Sequence, residues 1–105
     1  MLDFQKRKRK YFEVKLHDGT ELRIPTPARA IYDDLMEMYE NPEGAARKMP
    51  CLLEAILRMN KDGIPITEKQ LNEFDIEDLY DFFTDYANFV SAILDDPNSK
   101  PPTAQ

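Results

Sequence analysis

Tyr11-Phe12-Glu13-Val14-Lys15-Leu16-His17-Asp18-Gly19-Thr20-Glu21-Leu22-Arg23-Ile24 decides how the chain begins to fold. Apolar residues fall at 12, 14 and 16 and again at 22 and 24. That period of two marks a pair of half-buried strands. Asp18-Gly19 alone would make a two-residue turn, but that register sets Leu16 against Glu21 and Val14 against Arg23. Apolar and charged side chains would then share one face. A three-residue loop, His17-Asp18-Gly19, with Gly19 left-handed in a bulge, removes the conflict. It sets Leu16 opposite Thr20, Val14 opposite Leu22 and Phe12 opposite Ile24. A lone hairpin is marginal in water, so its apolar face must lie on helices or on another strand.

Those helices follow. Pro25-Thr26-Pro27 stops the second strand, with Thr26 as cap and Pro27 at the first helical position. Ala28, Ile31, Leu35 and Met38 recur at helical spacing, flanked by Tyr32 and Tyr39, and Asn41-Pro42 ends a helix over about 27–40. A helical stretch from Glu43 to Met49 precedes Pro50, and the apolar run Cys51–Met59 continues the second helical region, about 43–59. Asn60-Lys61-Asp62-Gly63 reads as a turn, and Thr67-Glu68-Lys69-Gln70 as a capping box opening a brief helix over 68–74. Asp75 caps the longest helix, 76–94, in which Ile76, Leu79, Phe83, Tyr86, Val90 and Ile93 form a sustained stripe. The predicted fold is α+β, mainly α: an N-terminal β-hairpin followed by a small helical bundle of four or so helices. Residues 11–96 form the domain, residues 1–10 a flexible basic arm, and residues 97–105 a polar, proline-rich flexible tail.

Upstream of the hairpin lies Lys6-Arg7-Lys8-Arg9-Lys10, five cations without interruption. Residues 1–25 carry seven Lys and Arg against four Asp and Glu, a charge of +3, whereas residues 26–105 carry seven against sixteen, a charge of −9. A basic arm is thus attached to an acidic body. The 42% hydrophobic and 32% charged content of the 105 residues excludes wholesale disorder. No apolar run nears the roughly 18 residues of a membrane span, and no signal-peptide core is present. With Cys51 the only cysteine, no internal disulfide forms, which points to a reducing cytoplasm.

Catalytic chemistry is hard to assemble from these residues. His17, the one histidine, falls in the hairpin loop, where a solvated residue is ordinary. Cys51 opens an apolar segment and is expected to be a buried, inert thiol. A calcium loop with Gly63 at its sixth position would need carboxylates where Arg58 and Lys69 stand. Glu77, Asp81 and Asp85 share one helical face but read as a solvated acidic stripe. Gly19, Gly44 and Gly63 are too dispersed for a phosphate loop. The expectation is a binding protein without catalysis, cofactor or metal.

Two surfaces are candidates for binding. Tyr80, Phe82, Phe83, Tyr86 and Phe89 place five of eleven aromatics within ten residues, a face wider than one packing partner needs. Lys6, Arg7, Lys8, Arg9 and Lys10 suit electrostatic contacts, although the acidic body opposes nucleic acid and no stacking aromatics interleave with the run. Met36, Met38, Met49 and Met59 add adaptable thioethers that also serve as ordinary core filling.

The order of features resembles the tail assembly chaperones of long-tailed phages and prophages. The residues that carry the resemblance are the hairpin Tyr11–Ile24 with its His17-Asp18-Gly19 loop and the sequence Ile24-Pro25-Thr26-Pro27. In the second half they are Ile56–Gly63, Ile66-Thr67-Glu68, Tyr86-Ala87-Asn88-Phe89-Val90 and Asp95-Asp96-Pro97-Asn98. The resemblance implies a non-enzymatic protein of the bacterial host cytoplasm. Such a protein binds the long helical tape-measure protein and helps recruit the tail-tube protein. Two other readings remain open: a small nucleic-acid-binding regulator using the basic arm, and a homo-oligomeric structural subunit joined through the last helix.

Overall fold

The computed structural model describes Met1, Asp3, Gln5 and residues 9–95, excepting the side chains of Ala46 and Asp95. Strands β1 (Phe12–Lys15) and β2 (Glu21–Ile24) are followed by helices α1 (Arg29–Glu40), α2 (Pro42–Arg58), α3 (Glu68–Asn72) and α4 (Ile76–Asp95). This is the α+β, mainly helical arrangement the sequence predicts. Half of the arm, Lys6 to Lys8 included, and all of the 97–105 tail lie outside the described residues.

The hairpin takes the three-residue-loop register. Phe12 pairs with Ile24 and Val14 with Leu22. The Leu16 N–H donates to the Thr20 carbonyl at 2.8 Å, and Gly19 takes φ +91°. A residue with a Cβ is strained there, which is why glycine closes this loop. Leu16, Leu22 and Ile24 are buried, as the alternation requires. The loop is also tied down: Asp18 accepts from the Thr20 N–H at 3.0 Å and from Gln70 Nε2 at 3.0 Å.

The first helix starts later than expected. Ala28, not Thr26, is the cap residue, and no side-chain cap bond forms. Each residue before a proline is steered to extended backbone, which keeps Ile24 to Thr26 out of the helical region. A long-range contact fixes the same segment, because the Tyr86 hydroxyl donates to the Pro25 carbonyl at 2.8 Å. The first-turn N–H groups of α1 are instead left to water on an exposed end.

The second helical region, expected over about 43–59, holds together through Pro50. The chain does not break there; α2 runs from Pro42 to Arg58 as one 17-residue helix. Proline inside a helix costs about 3 kcal/mol. Beyond it, Leu52, Leu53, Ile56 and Leu57 are all buried. Each such side chain contributes about 1.5–3 kcal/mol, so burial outweighs the lost hydrogen bond. The continuous helix also corrects the expectation for Cys51, which is exposed. Position 51 falls on the polar side with Arg47, Glu54 and Arg58, while the 52/53/56/57 stripe faces inward.

The short α3 and the long α4 begin with side-chain caps. Thr67 and Gln70 form the capping box, each side chain accepting from the other's backbone N–H. Asp75 and Asp78 do the same at α4, at 2.8 and 3.1 Å. The core is one cluster in which the hairpin's inner face, α1, α2 and α4 meet. The turn after α2 is pinned from within by Asn60, the one polar residue buried among those described. Its side chain donates to the Leu57 and Ile64 carbonyls, each at 2.9 Å, and accepts from the Ile64 N–H at 2.7 Å.

Candidate apolar docking cleft

The aromatic residues of α4 separate once they are placed. Phe82, Phe83 and Tyr86 are core, at 7%, 2% and 0% exposure. Phe89 is half-buried, with its ring 5.6 Å from that of Phe12 and 6.0 Å from that of Tyr86. The wide face is therefore largely covered, and these four residues serve the fold. What covers it comes from far along the chain: Phe12 of β1 stands 6.0 Å edge-on to Phe82, and Phe74 stands 6.4 Å from it. Such edge-to-face pairs add about 0.5–1.5 kcal/mol beyond their area. Only Tyr80 of the five faces solvent, at 66% exposure.

Tyr80 lies on the opposite flank of α4 from Phe12, where α4 meets α1 and the start of α2. An apolar cleft of about 150 Å³ opens there, with Met38, Tyr39, Pro42, Ala45, Met49, Tyr80, Phe83 and Thr84 around it. Met38 forms part of its floor and is buried, whereas Met49 is half-buried at its wall. Tyr39 rises at the rim, 45% exposed, and its hydroxyl donates to the Phe83 carbonyl at 2.9 Å. Partial burial and the neighbouring Tyr80 phenol raise the Tyr39 pKa, so its hydroxyl stays a donor at neutral pH. Glu37 and Lys48, 2.6 Å apart, bridge α1 and α2 close to the cleft.

Tyr39, Pro42 and Ala45 are cleft residues that sequence reasoning missed. Tyr39 flanks the 31/35/38 stripe and so carried a weak signal, but the meeting of α1 with the middle of α4 has no local signature. The methionines divide: Met38 and Met49 border the cleft, Met59 borders a different groove, and Met36 packs on the core.

The charged candidates take up other parts of the surface. Arg9 and Lys10 are exposed, while Lys6, Arg7 and Lys8 lie outside the described residues. Arg9 lines an open groove of about 420 Å³ with Tyr11, Pro25, Pro27, Met59 and Lys61. The Tyr11 ring lies 5.1 Å from Lys61 Nζ and 5.9 Å from the Arg23 guanidinium, both within cation–π range. Arg23 is also paired with Asp62 at 2.7 Å, which holds the Asp62 carboxyl below its ordinary range. His17 is anchored rather than merely solvated: Nε2 stands 2.9 Å from Asp78 Oδ2, and Phe74 meets its ring edge-on at 4.9 Å. Glu77, Asp81 and Asp85 are exposed. Among the described residues no three His, Cys, Asp or Glu side chains gather as a metal site, and no helix is long and apolar enough to cross a membrane.

In comparisons with known proteins, no family model, no curated protein and no solved structure matches this chain.

Proposed function

We propose that the protein is a non-enzymatic tail assembly chaperone of a phage or prophage, working in the bacterial cytoplasm. It holds amphipathic helical segments of the tape-measure protein and passes the complex on to tail-tube subunits. The observation that carries this reading is the cleft between α1, α2 and α4, apolar and edged by Met38, Met49, Tyr39 and Tyr80. Two thioethers and two rim phenols suit a guest whose sequence varies from turn to turn, because methionine refits itself to different surfaces. Helix-in-groove binding uses anchors at i, i+3 and i+4 in an apolar slot, and a cleft of this size accepts one or two such anchors at a time. The acidic body keeps the loaded complex soluble.

Co-expression with the tape-measure protein of the neighbouring locus tests the reading. Tyr80→Ser and Met49→Ser alter the cleft at side chains that are exposed or half-buried, so the domain should stay folded. The wild type should raise the partner's soluble yield and co-purify with it, and the two variants together should abolish both effects. A partner that remains insoluble with the wild type, or binds the variants equally well, contradicts the proposal.

A further inference from the structure

The hairpin has two outer edges, and they differ. Leu16 bonds across to Thr20, so by the alternation of an antiparallel ladder Val14 and Phe12 also face β2. Glu13 and Lys15 therefore turn their N–H and C=O groups away from it. On the far side of β2, the outward Arg23 carbonyl accepts from the Lys61 N–H at 2.9 Å, so the turn after α2 covers that edge. Among the described residues no backbone hydrogen bond reaches the outer side of Glu13 or Lys15. An open row of strand donors and acceptors is a template for another strand.

A groove of about 360 Å³ follows this open edge, with β1 on one side and the first half of α4 on the other. Phe12, Phe74 and Phe82 give it apolar surface, and Asp78, Asp81 and Asp85 stand along its α4 wall. Asp78 is engaged by His17, but Asp81 and Asp85 are exposed and have no ion-pair partner among the described residues. A strand laid here needs long cationic side chains, whose methylene stems cover the rings while their heads reach the carboxylates.

The chain contains one segment of that composition, Lys6–Lys10. The whole run cannot fold back on its own β1, because only Tyr11 separates the two and some of the run's cations would be spent on the turn, whereas a second copy can dock all five. We propose that the outer edge of β1 receives the Lys6–Lys10 run of a second copy, as an added antiparallel strand. Side chains alternate along a strand, so an uninterrupted run presents two or three cations to the α4 wall in any register. The arrangement is reciprocal: pairing about a two-fold axis near residues 10 and 11 docks both arms at once. This inference does not depend on the chaperone reading.

Sedimentation velocity of the full chain across a concentration series tests it. At low salt the mass should rise from 12.3 kDa to twice that value, and high salt should reverse the rise. Asp81→Asn with Asp85→Asn should weaken the dimer by roughly tenfold or more in dissociation constant. Lys15→Pro removes an outward N–H without touching the hairpin's own bonds, and should weaken the dimer with circular dichroism unchanged. If Lys15→Pro unfolds the domain, the exposed aspartate pair decides alone. Charge reversal of all five residues from Lys6 to Lys10 should abolish the dimer whatever the register, and Asp81→Lys with Asp85→Lys should restore it. A chain that stays monomeric at low salt, or a dimer indifferent to the aspartate variants, overturns the proposal.

Discussion

Tyr86 does two things with one side chain. Its ring fills the centre of the core at 0% exposure, and its hydroxyl reaches the Pro25 carbonyl at 2.8 Å. Burial holds its pKa far above the ordinary phenol value, so it remains a donor at any pH the protein meets. Tyr86→Phe keeps the ring but leaves that carbonyl without its partner, and should cost about 1–2 kcal/mol in chemical denaturation. The carboxylates behave differently. The Arg23 hydrogen bond holds Asp62 below its usual range; the Asp75 backbone amide and then His17 do so for Asp78; the Thr20 amide does so for Asp18. A depressed carboxylate stabilises the fold above its unfolded pKa, about 4, and that contribution is lost as the pH falls through the folded value. The melting temperature should be level from about pH 7 to 5 and fall below about 4, and Asp62→Asn should remove part of the fall. All three groups are exposed, so each share is small.

Elements were legible wherever the deciding signal is local. The hairpin register follows from requiring Val14 to face Leu22, and the starts of α3 and α4 follow from Thr67/Gln70 and Asp75. Legibility failed where a distant contact outweighs a local preference. Thr26 is a good cap residue, yet its segment stays extended between two prolines and under the Tyr86 hydroxyl. At Pro50 the local preference for a break was outweighed legibly, since the apolar run after it already extended one helical region over about 43–59, and the four buried side chains that follow keep α2 continuous. If that balance is right, Pro50→Ala restores a helical hydrogen bond without altering the core. It should then raise stability, by up to about 3 kcal/mol, with no change in helix content by circular dichroism.

At the scale of the whole molecule, the candidate site was half visible. Tyr80, Met38 and Met49 could be singled out from composition and spacing. Phe83 and Tyr86 stood on the stripe that packs inward, but burial of Phe82, to one side of it, could not be read, because it depends on Phe12 and Phe74 arriving from elsewhere. Phe82→Ser should therefore unfold the domain, since removing a buried ring costs about 3–5 kcal/mol and a net stability is often little more. It reports on the fold, whereas Tyr80→Ser leaves the melting temperature nearly unchanged and reports on the cleft.

The claim that this cleft holds a helical guest is tested most directly by methyl and aromatic NMR during titration with a helical segment of the tape-measure protein. The account predicts that the Met38 and Met49 methyls and the Tyr39 and Tyr80 rings shift together in a saturable way, while the signals around Tyr11 and β1 stay in place. Shifts confined to the Tyr11 corner or the hairpin, or no shift at all, would contradict it.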